Sequence, residues 1–167
     1  MANDLDAFIM VHPTAVAGAE RLKAYYLVNL IGNPFDTTIA AAALVFGDVI
    51  GRYPRIKFLL VHGGGFLPYQ VGRFKHGWEV RAEPRARLKA PPQTSLDKLL
   101  FDTIVHDRSA LEFLVSSCGP ERVLMGSDYP FDMGTLECAR QVEALSIAEP
   151  EREQILGGAA MKLLALA

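Results

Sequence analysis

The chain has 167 residues, of which 50% are hydrophobic and 22% charged, and its 17 basic and 19 acidic side chains leave a net charge near −2. This length predicts one domain, over residues 1–167. The balanced charge argues against nucleic acid or a membrane surface as partner. No apolar run reaches the ~18–20 residues that span a bilayer, and the acidic start Met1–Asp6 is unlike a signal peptide. Cys118 and Cys138 lack metal-type spacing, which predicts free thiols and a cytoplasmic location.

The first half of the chain alternates predicted strands with predicted helices. Short apolar runs bounded by proline or glycine predict strands over Ala7–Val11 and Ile56–Val61. Longer amphipathic stretches predict a helix from Asp36, as its cap, to about Arg52, and a second helix from about Pro68 to Ala82. The proline-rich stretch Glu83–Ser95 is predicted to be a loop.

The second half repeats the same alternation. Strands are predicted over Leu99–Val105 and Arg122–Met125, and helices over Ser109–Ser117, about Leu136–Leu145 and about Pro150–Leu166. Strands that alternate with helices pair in parallel through right-handed crossovers. The sequence therefore predicts an α/β protein.

Each predicted strand ends at or beside a side chain that can bind a metal or move a proton. These groups are His12, His62, His106 (just past Asp102) and Asp128. The carboxyl ends of parallel strands share one edge, where ligands bind, and imidazole and carboxylate suit zinc or manganese. A divalent-metal site at this edge is therefore expected. Each residue taken alone is also compatible with a packing, capping or turn role.

The run His62-Gly63-Gly64-Gly65 is compatible with more than one role. Three glycines allow a tight turn, a close approach of the backbone, and free N–H groups for an anion, but they also suit a simple flexible turn. An esterase would need a G-x-S-x-G motif as well, which the sequence lacks. G-x-G-x-x-G and P-loop motifs are also absent, so no nucleotide cofactor is expected.

Two arginines on the second predicted helix are candidates for binding a carboxylate. Arg73 and Arg81 are spaced by about two helical turns, which puts them on one face. A solvated basic face is the alternative. Trp78, between them, is predicted to lie in the core or an interface, and Asp107 is predicted to cap a helix.

Five motifs in one order identify the family that the chain resembles. They are Val11-His12-Pro13, Asn33-Pro34-Phe35-Asp36-Thr37-Thr38, Val61-His62-Gly63-Gly64-Gly65-Phe66, Phe101-Asp102-Thr103 with Val105-His106-Asp107, and Gly126-Ser127-Asp128-Tyr129-Pro130-Phe131. Together they resemble the amidohydrolase-related (amidohydrolase family 2) metal-dependent decarboxylases, typified by 2-amino-3-carboxymuconate-6-semialdehyde decarboxylase. The resemblance extends from about residue 7 to residue 166.

The resemblance implies the C-terminal half, about strands five to eight, of a TIM-type (β/α)8 barrel. It implies a carbon–carbon lyase that removes carbon dioxide from an unsaturated or aromatic carboxylic acid with a divalent metal, zinc being expected and manganese the alternative. His12 and Asp128 would be metal ligands, and His62 and Asp128 catalytic groups. Arg73 and Arg81 would bind the substrate carboxylate or reach across a dimer interface, and His106 would have a supporting role.

The chain departs from the family pattern in three respects. It has four βα units, it lacks the His-x-His pair of the first barrel strand, and it has Ala159 where relatives usually have asparagine. Catalytic zinc usually has three protein ligands, so we expect the half barrel to be completed by a second copy or by a missing N-terminal half. The alternatives are a metal-dependent hydrolase of the same superfamily and a non-catalytic half barrel that serves as an interaction module.

Overall fold

The computed structural model describes residues 1–166. They form two compact units, the first Met1–Leu99 and the second beginning at Leu100. Each unit contains parallel strands joined through helices. The predicted alternation of strand and helix is therefore confirmed. No helix in the described part of the chain is both long enough and apolar enough to cross a membrane.

The first unit is built around a pair of parallel strands. Its strands and helices are β1 (Phe8–Val11), α1 (Asn33–Phe46), α2 (Val49–Arg52), β2 (Lys57–Leu60), α3 (Leu67–Val80) and α4 (Gln93–Leu96). The register runs from Phe8 opposite Lys57 to Val11 opposite Leu60. Because the strands run in the same direction, the residues that follow them lie at one edge of the pair.

The two strands of this unit differ in burial. Phe58, Leu59 and Leu60 of β2 are buried, as expected for a continuous apolar strand of a parallel sheet. In β1, Phe8 and Met10 are 37% and 60% exposed. Alternate residues of a strand point to opposite faces, so one face of β1 is apolar and open in this unit.

The second unit has a second parallel pair. Its elements are β3 (Leu99–Asp102, starting at the unit boundary), α5 (Arg108–Cys118), β4 (Val123–Leu124), α6 (Cys138–Glu143), α7 (Glu149–Glu153) and α8 (Ala159–Leu163). Phe101 is opposite Val123 and Asp102 is opposite Leu124. Leucine, isoleucine and valine side chains form the core of this unit. They come from both strands, from α5 and α6, and from the segments that follow α6 and α7.

The first predicted helix begins earlier than expected and is divided in two. α1 follows directly from a π-helical turn, Val28–Gly32, with Pro34 near its start. The Asp36 carboxylate accepts a hydrogen bond from the Ala17 N–H (3.2 Å) instead of capping the helix. Asp48, with φ of 54°, separates α1 from α2. The predicted cap at Asp36 and the predicted unbroken helix are therefore wrong.

Three further boundaries differ from the predictions. The predicted loop Glu83–Ser95 contains the start of α4, and β3 ends at Asp102, three residues before the predicted end. The predicted final helix is interrupted by a π-helical turn, Gln154–Gly158, in which Gly157 is extended. The exact ends of helices and strands depend on packing more than on hydrophobic periodicity, so the periodicity did not predict them.

Candidate metal centre

His12 and His62 lie side by side at the carboxyl end of the first strand pair. His12 directly follows β1, and His62 follows β2 after one intervening residue. Their ring centroids are 5.3 Å apart with the ring planes at 62°, and both side chains are half-buried. The first unit therefore brings together two of the residues selected from the sequence.

The surroundings of His12 suit a metal ligand. Its Nδ1 lies 2.7 Å from the carbonyl oxygen of Pro13, a distance at which a protonated Nδ1 donates a hydrogen bond. This contact favours the tautomer whose Nε2 has the lone pair. Metal-binding histidines commonly use a second-shell hydrogen bond of this kind to orient the ring.

His62 begins a left-handed turn that continues through the three glycines. The φ values are 58° at His62, 60° at Gly63, 79° at Gly64 and 63° at Gly65. The Gly64 N–H donates to the Val61 carbonyl (3.1 Å), and the Gly65 N–H donates to the His62 carbonyl (2.9 Å). Since these two N–H groups close the turn, they are not available to an anion, and the tight-turn interpretation is favoured.

Gly65 also allows a close approach of two backbone segments. A Cβ at this position would lie 2.0 Å from the Pro34 carbonyl oxygen. Thr38 of α1 ties the same segments together, because its hydroxyl donates to the Pro34 carbonyl (2.8 Å) and accepts from the Phe66 N–H (2.8 Å). The sequence motif included Thr38, but its role in holding the His62 turn depends on this tertiary contact.

Asp128 belongs to the second unit and lies in the turn that follows β4. It is half-buried and has a left-handed backbone with φ of 56°, which costs energy for a residue other than glycine. The Phe131 N–H donates to the Asp128 carbonyl (2.9 Å), and the Thr135 N–H donates to the Ser127 carbonyl (2.8 Å). These hydrogen bonds hold the backbone of Asp128 in its conformation.

The second unit contains a buried carboxylate that was quoted in the sequence motif but given no role. Asp102 is the last residue of β3 and only 7% exposed. Its Oδ1 accepts a hydrogen bond from the Ile104 N–H (3.1 Å). A carboxylate at a strand end is a recognisable sequence pattern, but its burial follows only from packing.

His106 is farther from its strand than the sequence predicted. It lies four residues beyond the end of β3, with φ of 56°, and lines a cavity of about 160 Å³ together with Arg108, Leu111 and Gln141. The next residue, Asp107, accepts a hydrogen bond from the Ala110 N–H (2.8 Å) and caps α5. The predicted cap is confirmed, and the supporting role of His106 stays a prediction.

Arg73 lies on α3, whereas Arg81 lies just beyond its end. Arg73 lies exposed on α3, but α3 ends at Val80, and Arg81 has an extended backbone. The Arg81 guanidinium forms an ion pair with Glu83, whose hydrogen bond raises the pKa of Arg81. Arg81 therefore does not lie within the helix, contrary to the prediction, and a substrate carboxylate would compete with Glu83 for Arg81.

Three features, two in the first unit and one in the second, suit a divalent metal ion. His12 has an oriented imidazole, His62 lies against it, and Asp128 offers a carboxylate from its own unit. Zinc and manganese both accept imidazole nitrogen and carboxylate oxygen. Parallel βα units with such groups after their strands are typical of α/β proteins that bind ligands at the carboxyl ends of their strands.

Comparison with known proteins assigns the family. Residues 1–166 match the family model described as Amidohydrolase, and the chain belongs to this family. It is 36% identical to 2-amino-3-carboxymuconate-6-semialdehyde decarboxylase of Dictyostelium discoideum, over 97% of this chain and 46% of the relative. It is also 36% identical to the Caenorhabditis elegans protein of the same name, over 98% of this chain and 42% of the relative. The chain thus spans about half the length of these curated relatives.

Solved structures show the same fold. The crystal structure of 5-carboxyvanillate decarboxylase from Sphingomonas paucimobilis matches with a TM-score of 0.86 at 21% identity, over 98% of this chain and 50% of that one. Dihydroxybenzoic acid decarboxylase from Polaromonas sp. JS666, with bound manganese and an inhibitor, matches with a TM-score of 0.86 at 22% identity, over 99% of this chain and 52% of that one. The predicted fold class, half of a TIM-type barrel, is confirmed.

Proposed function

We propose that the chain is the C-terminal half of a metal-dependent decarboxylase, a carbon–carbon lyase that acts on an unsaturated or aromatic carboxylic acid. The main support is the pair of strand-end histidines, with ring centroids 5.3 Å apart and with His12 oriented by Pro13. The family, and relatives named as decarboxylases, favour this activity over a hydrolase or a purely structural half barrel.

We assign the metal to His12 and Asp128, with His62 beside it as the acid–base group. Each residue offers one ligand atom of a type that divalent metals accept. Zinc is the ion we propose, and manganese, present in a related structure, is the alternative. When bound, such an ion supplies Lewis-acid chemistry and lowers the pKa of water.

The protein residues would contribute orientation and proton transfer. Loss of carbon dioxide breaks a carbon–carbon bond and leaves its electron pair on the substrate carbon, which then takes up a proton. An imidazole, with a pKa of ~6.5 when unperturbed, can deliver that proton near neutral pH. The left-handed turn at His62, held by Gly65 against Pro34, would keep the imidazole in position.

The exposed guanidinium of Arg73 is the favoured group for the substrate carboxylate. Among the described residues, Arg81 is paired with Glu83 and Arg73 has no ion-pair partner. Arginine binds carboxylates through two parallel hydrogen bonds.

The remaining barrel strands would come from a second copy or from an N-terminal half. Free Cys118 and Cys138 are compatible with the cytoplasm as the location.

Metal stoichiometry tests the proposal directly. The purified chain would be dialysed against zinc or manganese and analysed for metal content, alongside His12→Ala and Asp128→Ala. Matched controls are His76→Ala, on the exposed side of α3, and Asp4→Asn, an exposed residue. About one ion per chain, lost in both site variants and kept in both controls, is the expected result.

A decarboxylation assay then tests the reaction. The chain would be mixed with the N-terminal half of the Dictyostelium relative, which we expect to supply the remaining barrel strands. Release of carbon dioxide from 2-amino-3-carboxymuconate-6-semialdehyde is expected with the parent chain and not with His62→Asn. Equal metal content in the parent chain and Asp128→Ala would refute the proposed site.

A further inference from the structure

Thr103 makes an unusual connection between two strand ends of the second unit. The backbone pairing of β3 with β4 extends to Asp102 opposite Leu124. Thr103, the next residue of the chain, is 1% exposed. Its hydroxyl accepts a hydrogen bond from the Gly126 N–H (3.1 Å) and lies 3.4 Å from the Gly126 carbonyl, to which it donates. A side chain therefore continues the ladder after the backbone pairing ends.

This connection lies two residues before Asp128. Beyond Asp128, the turn is closed by hydrogen bonds from Phe131 and Thr135 to the carbonyls of Asp128 and Ser127. Thr103 holds the side of the turn that leaves β4. The left-handed backbone of Asp128 is thus restrained on both sides, as a strained residue must be if it is to persist.

Two glycines of this turn lie close to neighbouring groups. A Cβ on Gly126 would lie 3.4 Å from Cβ of Asp102, and a Cβ on Gly134 would lie 2.9 Å from the Asp128 carbonyl oxygen. The turn is therefore packed between β3 on one side and its own return segment on the other. The Thr103 hydroxyl joins Gly126 by hydrogen bonds to the residue that follows β3.

We propose that Thr103 is a positioning residue for Asp128: its buried hydroxyl holds Gly126 and so orients the Asp128 carboxylate for the metal. This inference rests on the proposed function, in which Asp128 is a metal ligand. Residues that orient metal ligands typically change metal affinity ~10–100-fold when they are replaced. Thr103 does not itself bind the ion.

The test measures the Kd for Mn²⁺ by electron paramagnetic resonance on the purified chain. Thr103→Val removes the hydroxyl but keeps the shape, and we expect a Kd about tenfold higher. Thr103→Ser keeps the hydroxyl, and we expect a Kd within about twofold of the parent value. Thr37→Val is the matched control, since Thr37 is equally buried and its hydroxyl donates to a backbone carbonyl in α1.

The outcomes separate the two proposals. If the parent chain binds no Mn²⁺, or if Asp128→Ala binds it as tightly as the parent, the metal site is wrong and the role of Thr103 falls with it. If Asp128→Ala loses the ion but Thr103→Val keeps the parent Kd, only the role of Thr103 is wrong. A Thr103→Ser variant as weak as Thr103→Val, or a Thr37→Val variant equally weak, would also overturn it.

Amide hydrogen exchange keeps the inference testable if Thr103→Val does not fold. The Gly126 amide lies after the end of β4 and is bonded to a side chain. We expect this amide to exchange slowly in the parent chain and in Thr103→Ser. Rapid exchange at Gly126 in the folded parent chain would contradict the hydrogen bond on which the inference depends.

Discussion

Individual residues in this protein adopt strained backbone conformations where the candidate site groups lie. His62, His106 and Asp128 all have positive φ values, between 56° and 58°. Such conformations cost ~1–3 kcal/mol for a residue other than glycine and persist where the surroundings enforce them. The hydrogen bonds of the His62 and Asp128 turns supply that enforcement.

Replacement of Gly65 by alanine is predicted to destabilise the fold. The new Cβ would meet the Pro34 carbonyl at 2.0 Å, at a φ of 63° that L-residues rarely adopt. We expect the free energy of unfolding to fall by about 1–4 kcal/mol, as measured by urea denaturation. Gly72→Ala in α3 is the control, because its Cβ meets nothing within 4 Å and alanine favours helix by about 1 kcal/mol. Equal effects of the two substitutions would contradict the close approach.

At the scale of single helices, both capping residues and tertiary contacts determine where a helix begins and ends. α5 begins at the residue after its predicted cap, Asp107, and ends at Cys118, one residue beyond the predicted end. α1 does not begin at its predicted cap, because it continues from the π-helical turn Val28–Gly32 and the Asp36 carboxylate bonds to the Ala17 N–H instead. A helix thus follows its capping residues where no tertiary contact competes with them.

The thiol at the end of α5 is predicted to react slowly in the folded chain. Burial raises the pKa of Cys118 from 9.0 to about 11, and its Sγ donates to the Leu114 carbonyl (3.0 Å). At pH ~8 the thiolate fraction would be about a hundredfold lower than in the unfolded chain. Alkylation of Cys118 by iodoacetamide should therefore be at least about a hundredfold slower in the folded chain than in denaturing urea. Mass spectrometry of the peptide that contains Cys118 measures the rate.

The raised pKa of Cys118 also determines how the free energy of unfolding changes with pH. Below the unfolded pKa of 9.0 both states hold the proton, and above it the unfolded chain loses the proton first, because the folded pKa is about 11. The free energy of unfolding should fall as the pH rises between these two values, and less so in Cys118→Ala. Similar alkylation rates in the folded and unfolded chain would contradict the burial of this thiol.

At the scale of the whole molecule, the chain has the fold of half a barrel and spans 46% and 42% of two curated relatives. Among residues 1–166, the strand that pairs with β1 is β2. Phe8 and Met10 of β1 are exposed, and an exposed apolar strand favours association with another chain.

Introduction of a charge on β1 is predicted to weaken self-association. Met10 is 60% exposed, and a lysine there would place a charge within any surface that covers β1. In sedimentation velocity, the parent chain should associate with increasing concentration and Met10→Lys should shift toward the monomer. Met161→Lys is the control, since Met161 is 47% exposed on α8 of the second unit. A parent chain that stays monomeric, or equal behaviour of the two variants, would contradict the prediction.

The sequence alone predicted the α/β class, the alternation of strands and helices, the family and the placement of His12 and His62 after their strands. These features depend on hydrophobic periodicity and on motifs of a few residues, which are local. The helix boundaries at Asp36, Asp48 and Gly157 were not predicted, because left-handed or extended residues and tertiary contacts interrupt a continuous amphipathic pattern.

Only the tertiary structure decided how the site residues are held. The ring contact of His12 with His62, the approach of Gly65 to Pro34, and the hydrogen bond of Thr103 to Gly126 join residues that are distant in the chain, 23 positions apart in the last case. Local patterns determine which elements form, whereas these contacts arise only when the packed core brings separate strand ends to the same place.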